Sequence, residues 1–348
     1  MPGCLPSARL NALTLAGNIP VSVTIELTRR CPLSCLHCYL PETRGRAEPG
    51  RELSTAQWGK ILRELAGAGG LYLVITGGEP LLRPDLPELC RLARELRFDV
   101  RVFSTGLGLT PALARRLKAC GVSGFEISFY GRAATHDGIT GLKGSFRRSL
   151  AAARLLKRSG VKVKIKAPLM TLNRGQAGWL RELAAAEGFG VSFDPVIAPG
   201  NDGDAAAPGY RLAGRSLASV VKALSGKPAA AAPGPAAADF ICGAGRNVCA
   251  VGPDGALYPC LQLPVKLADL TKSSFRQAWK NSPWLKGWRR AGMGDIKKCR
   301  RCGLKEYCSL CPGISLLENG TALSPNSSAC ALARAQAGLK TDAKTAVF

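Results

Sequence analysis

Short β-branched runs recur along the first half of the chain. They cover residues 21–27, 71–75, 100–103, 125–129, 161–166 and 191–193, and each reads as a strand. Between them lie stretches with apolar residues at helical spacing, at 58–65, 84–96, 111–119, 145–158 and 179–187. Pro84 suits a first helical turn, and Ser145 is a plausible cap. Strands alternating with helices predict parallel βα units. Six such strands counted from Val21 predict an α/β fold, a partial (β/α)6 TIM-like barrel. In such barrels chemistry gathers at the C-terminal ends of the strands.

The pattern changes after residue 197. The stretches 198–204 and 225–238 are rich in Ala, Pro and Gly and read as loop and linker around one helix at 212–224. The expected organisation is therefore a lead-in at 1–20, a barrel at 21–197, and a linking region at 198–239. A cysteine-rich unit follows at 240–335, with a tail at 336–348. The lead-in is too short for a separate peptide-recognition domain.

The chain has 48 Lys and Arg against 24 Asp and Glu, a net charge of +24. Such an excess favours acidic partners, although the cations are spread over helices and form no long basic tail. A solvated basic surface around anionic clusters accounts for it equally well. No apolar run reaches the ~18 residues of a membrane span. The N-terminus lacks a basic segment followed by an apolar one, so no secretory signal is read and a cytoplasmic location is expected. Fourteen cysteines in such a chain argue for metal or redox chemistry, not disulfides. Cys4, Cys90 and Cys120 stand outside any motif. The last two lie in helical patterns and are expected to be inert core thiols.

Two cysteine constellations remain. Cys31, Cys35 and Cys38 have C-x3-C-x2-C spacing in the loop leaving the first predicted strand. Three grouped thiolates suit an iron–sulfur cluster with one open iron, whereas a structural zinc site wants four ligands. Near the C-terminus come Cys242, Cys249, Cys260, Cys299, Cys302, Cys308, Cys311 and Cys330. Eight thiols provide for two four-cysteine sites. Taken alone, their C-x2-C pairs also fit zinc ribbons.

The triplet, with His37 just before its last cysteine, resembles the signature of the radical S-adenosylmethionine (SAM) enzymes. The turn Thr76-Gly77-Gly78-Glu79-Pro80 after the second predicted strand strengthens the likeness. In that family the turn's backbone approaches the SAM amino group, a close approach that glycine permits. The resemblance implies SAM contacts at His37, Gly77, Gly78, Glu79, Ser104 and Ser128. His136-Asp137 matches a frequent His-Asp pair, but Thr140 stands where the family often has arginine. For His136 a loop-ordering role is the expectation.

The C-terminal cysteines resemble the SPASM extension of these enzymes, with the last central gap one residue shorter than usual. By that resemblance Cys242, Cys249, Cys260 and Cys311 would hold an inner auxiliary cluster. Cys299, Cys302, Cys308 and Cys330 would hold an outer one, both of the [4Fe–4S] type. The implied chemistry is reductive cleavage of SAM at the [4Fe–4S] cluster of the triplet, giving a 5′-deoxyadenosyl radical that removes hydrogen from a substrate. Fully thiolate-ligated auxiliary clusters favour electron transfer over substrate ligation.

The expected substrate is a ribosomally made peptide undergoing oxidative maturation. It would carry an acidic leader or come with a separate leader-binding protein, and flavodoxin or ferredoxin would donate electrons. Tetrapyrrole side-chain chemistry, as in haem synthesis, is the alternative. Formylglycine formation is disfavoured because Leu261, not an aspartate, follows Cys260. A zinc-stabilised nucleic-acid binder would leave the glycine turn and the βα units without a role.

Overall fold

The computed structural model describes residues 8–42, 50–224 and 240–345. Cys4 and the expected linker at 225–239 lie outside the described residues, as does the end of the tail. The repeating unit is the predicted one: β1 (Ser22–Glu26), α2 (Thr55–Gly67), β2 (Tyr72–Thr76), α3 (Leu86–Glu95), β3 (Asp99–Ser104) and α4 (Pro111–Ala119). Then come β4 (Gly124–Ser128), α5 (Ala133–Thr140), α6 (Ser145–Arg158), β5 (Lys162–Pro168), α7 (Ala177–Glu187) and β6 (Gly190–Asp194). These six strands pair in parallel in the order of the chain. Alternate residues such as Val23, Ile25, Leu73, Ile75, Val100 and Val102 face the helices and are fully buried. Helix α2 meets them with Trp58, Ile61, Leu62 and Leu65, spaced three and four apart on one face. No described helix is long and apolar enough to cross a membrane.

Two local expectations are corrected and one element is added. Residues 8–17 of the expected lead-in form helix α1 (Ala8–Gly17). It is tied to the C-terminal region, because Asn247 Nδ2 donates to Asn11 Oδ1 at 2.9 Å and to Thr14 Oγ1 at 3.1 Å. Pro84 does not open α3. A 3-10 turn at Pro80–Leu82 comes first, and the helix starts after Asp85. Ser145 does not cap α6 from outside, since it is the helix's first residue and follows Gly144. The cap is Asp137, whose carboxylate accepts from Gly144 N at 2.6 Å and Phe146 N at 2.8 Å.

Beyond α8 (Gly214–Leu224), the chain re-enters the same sheet. Strand β7 (Val248–Val251) pairs in parallel with β1, placing Cys249 beside Val23. Strand β8 (Ala256–Tyr258) pairs antiparallel with β7, and β9 (Ala268–Asp269) antiparallel with β8. Among the described residues the sheet therefore has nine strands in the order β6-β5-β4-β3-β2-β1-β7-β8-β9. Four helices complete this region: α9 (Phe275–Asn281), α10 (Pro283–Trp288), α11 (Pro312–Asn319) and α12 (Ser327–Thr345). Their anchor is aromatic, with Phe275 stacked on Trp279 and Trp284 on Trp288.

Candidate iron–sulfur and SAM site

The thiol triplet lies just past the C-terminal end of β1, and its loop is held from two sides. On one side Ser34 N donates to Thr140 O at 3.1 Å and Leu36 N to Ile139 O at 3.0 Å, docking the loop on the end of α5. On the other, Gly78 N donates to Thr28 O at 2.7 Å and Glu79 N to Arg30 O at 2.9 Å. A Cβ on Gly77 would fall 2.2 Å from Thr28 O, and one on Gly78 would fall 2.2 Å from Arg30 O. The glycines thus let the turn after β2 lie directly against the segment that leads into Cys31.

Glu79 braces this turn from within. Its buried carboxylate accepts from Leu81 N at 3.0 Å, Ser104 Oγ at 2.7 Å, Thr105 N at 2.7 Å and the Thr105 hydroxyl. Ser104 Oγ in turn accepts from Gly106 N at 2.8 Å. The side chains of Glu79 and Ser104 therefore join the ends of β2 and β3. At the end of β4, the Tyr130 hydroxyl bonds both Ser128 and the Cys35 sulfur. Its ring meets His37 edge-on at 4.9 Å. His37 Nδ1 is enclosed without a hydrogen-bond partner, and that desolvation lowers its pKa to about 4, so the ring is neutral. His136 packs behind Phe129, Tyr130 and Phe146, receives Tyr130 N on Nδ1 at 3.4 Å, and is likewise held neutral by burial, with a pKa of about 4.

A second buried carboxylate was not singled out from the sequence. Glu26, the last residue of β1, accepts from the Tyr39 hydroxyl at 2.6 Å. Burial raises its pKa to about 7 despite Arg29 nearby. The available signal was a glutamate in an apolar strand five residues before Cys31.

The structure sorts eleven cysteines into three groups, within each of which the sulfurs lie near one another. Cys31, Cys35 and Cys38 form the first. Cys242, Cys249, Cys260 and Cys311 form the second. Cys299, Cys302, Cys308 and Cys330 form the third and line a cavity of about 70 Å³. Cys90 and Cys120 lie apart from all three, on α3 and at the end of α4. Cys311 reaches the second group through a close approach at Gly313, where a Cβ would sit 1.6 Å from Gln262 O.

Burial pushes the thiols up, Cys31 and Cys242 to about 12 and Cys260 to about 11. Backbone amides oppose it. The N–H two residues onward faces the sulfur at Cys31, Cys242, Cys260, Cys302, Cys308 and Cys311. Such donors stabilise thiolate, the form that binds metal, and tune iron–sulfur clusters. The donor set therefore fits iron–sulfur ligation. Among the described residues no three Cys, His, Asp or Glu side chains converge tightly enough for a single metal ion. The cavity of the third group is also several times the ~10–15 Å³ that a cavity needs to hold one water.

Two family profiles match the chain. The radical SAM superfamily covers residues 25–178, and an iron–sulfur cluster-binding SPASM domain covers residues 242–303. A mycofactocin maturase from Mycobacterium ulcerans is 31% identical over 83% of this chain and 82% of its own length. An AdoMet-dependent heme synthase from Methanosarcina barkeri is 27% identical over 85% of this chain and 91% of its own. The crystal structure of Streptococcus suis SuiB bound to S-adenosylmethionine superposes with a TM-score of 0.70, covering 93% of this chain and 81% of SuiB at 18% identity, which speaks to the fold. Thiols gathered at the strand ends, a glycine turn pressed against their loop and a relative 31% identical over 83% of the chain lead to one assignment: the chain is an enzyme of the radical SAM superfamily with a C-terminal SPASM domain.

Proposed function

We propose that this enzyme matures a ribosomally made peptide by radical oxidation. The observation that carries this reading is the likeness to a mycofactocin maturase over 83% of this chain. In the proposed site Cys31, Cys35 and Cys38 hold the SAM-binding cluster. His37, the backbone of Gly77, Gly78 and Glu79, and the ends of β3 and β4 at Ser104 and Ser128 border the SAM pocket. The Glu79 and Ser104 side chains keep the turn in place, and Tyr130 positions Ser128 against Cys35. Cys242, Cys249, Cys260 and Cys311 hold the inner auxiliary cluster; Cys299, Cys302, Cys308 and Cys330 hold the outer. The barrel spans 21–197 and the auxiliary-cluster domain 240–335, and a flavodoxin or ferredoxin supplies electrons in the cytoplasm. When bound and reduced, the open-iron cluster supplies the electron that converts SAM to methionine and a 5′-deoxyadenosyl radical.

The basic surface suits an acidic leader, whose attraction weakens as salt shortens the ~8 Å Debye length. The heme-synthase likeness favours a second reading, with a tetrapyrrole carboxylate as substrate. One experiment separates the two. Anaerobically reconstituted enzyme is incubated with SAM, reductant and either precursor peptides encoded beside its gene or an iron porphyrin. A peptide lighter by a pair of hydrogens supports maturation. Loss of carbon dioxide from the porphyrin, with every peptide unchanged in mass, overturns it.

A further inference from the structure

The two C-terminal thiol groups differ in what surrounds them. In the second group Cys249 is fully buried inside the sheet, and Cys242, Cys260 and Cys311 are half-buried with none exposed. Its nearby cations, Arg246 and Arg289, are tied down structurally. Arg246 donates to Arg289 O at 2.7 Å and Ala291 O at 3.3 Å and lies over the Phe240 ring. Arg289 donates to Gly245 O at 2.8 Å and Trp279 O at 2.9 Å.

The third group combines a buried thiol, Cys299, and two half-buried ones, Cys308 and Cys330, with one at the surface. Cys302 is exposed, and the run Lys297-Lys298-Cys299-Arg300-Arg301-Cys302 places a pair of cations before each of two thiols. Lys297, Lys298, Arg300 and Arg301 are all exposed. None of them forms a salt bridge among the described residues. Lys305 and Arg334 line the thiol cavity itself. Two contacts fix the arrangement without neutralising it: Arg300 Nε donates to Gly294 O at 3.2 Å, and Lys305 Nζ donates to Arg300 O at 2.7 Å. Against these six cations stand Asp295, which receives Gly292 N at 2.8 Å, and Glu306.

We propose that this face is the docking surface of a small acidic one-electron carrier protein. The inference rests on the reading that Cys299, Cys302, Cys308 and Cys330 hold an iron–sulfur cluster. In the exchange the reduced carrier loses one electron and the outer cluster gains it, with no bond made or broken. Electron transfer weakens steeply with distance, so the carrier must approach the cluster at its exposed side, where exposed cations flank Cys299 and Cys302 in the chain and Lys305 and Arg334 line the thiol cavity. Complementary charge speeds such encounters and orients them. An acidic leader peptide would also be drawn to positive charge, but it has no need of the exposed thiol that these cations surround.

The test uses cluster-loaded full-length enzyme and a flavodoxin as probe. Binding is measured at low and high salt. Reduction of the auxiliary clusters by flavodoxin hydroquinone is followed by stopped-flow absorbance. The variant Lys297→Glu/Lys298→Glu/Arg301→Glu is compared with a control on α6, Arg147→Glu/Arg148→Glu, whose residues are equally exposed. The expected result is a loss of flavodoxin affinity and reduction rate on the order of tenfold in the first variant, with a flatter salt dependence. The control should match wild type, and dithionite-driven deoxyadenosine formation should be unchanged in both. Equal losses in both variants, no loss in either, or a loss confined to precursor-peptide binding would each overturn the proposal. Failure of the underlying reading has its own signature: Cys302→Ala/Cys330→Ala would then retain the full iron content of wild type.

Discussion

The thiol triplet and the C-terminal quartets solve the same problem, gathering thiolates, in opposite ways. The triplet occupies eight consecutive residues of one loop, and neighbouring backbone pins that loop on both sides. Its geometry is nearly local. Each quartet draws on segments far apart in the chain. Cys249 comes from a strand of the barrel sheet, Cys311 from the start of α11 and Cys330 from α12. Local spacing pairs Cys308 with Cys311, yet the fold sends them to different groups. Adjacency in sequence is therefore a good guide to a site built within one loop and a poor one where helices and strands carry the ligands past each other.

The largest expected effect tests whether the regions are independent. Replacing Cys31, Cys35 and Cys38 with Ala should abolish deoxyadenosine formation, while iron and sulfide fall only by one cluster's worth. Loss of all iron, or wild-type amounts of deoxyadenosine, would show that the division is wrong. The next variant breaks the long-range approach. Gly313→Ala must displace the Gln262 backbone, and overpacking of this kind costs about 1–3 kcal/mol. Iron should be lost from the Cys242–Cys311 group, with SAM cleavage by the triplet cluster retained. An unchanged iron count would show that Cys311 does not depend on that contact.

The third prediction sharpens the contrast through pH, because a buried carboxyl braces the triplet loop. Glu26 has its folded pKa raised to about 7 from 4.5 by burial, so between those values the folded metal-free chain binds more protons than the unfolded one. This contribution is fully present below pH 4.5 and is lost as pH rises through 7. It amounts to an order of 3 kcal/mol at most, given roughly 1.4 kcal/mol per pKa unit. Urea melts of Glu26→Gln across this range should lack that slope. A slope equal to wild type would assign the titration elsewhere.

The smallest effect concerns the link between the quartets. Asn326 Nδ2 donates to Cys311 O at 3.0 Å, while its Oδ1 accepts Ala329 N at 2.8 Å, joining the start of α11 to the helix that carries Cys330. Asn326→Ala should cost about 1 kcal/mol, read as a shift in the urea midpoint. It should also loosen iron at both quartets but not at the triplet.

The sequence by itself determined the six βα units, the triplet and the glycine turn. Alternating β-branched runs can bury only one way between helices, and a loop of eight residues cannot spread its thiols far. It also supplied the cysteine content that argues for metal or redox chemistry. Tertiary structure alone decided the rest. Residues 248–251 form a short apolar run whose strand character depends on finding β1 as a partner. Helix α1 shows little apolar patterning and gains its place through Asn247. The reason that glycine stands at 77, 78 and 313 is the backbone of residues remote in sequence, namely Thr28, Arg30 and Gln262. Periodicity reports what a segment can bury, whereas the identity of its neighbour emerges only once the chain has packed.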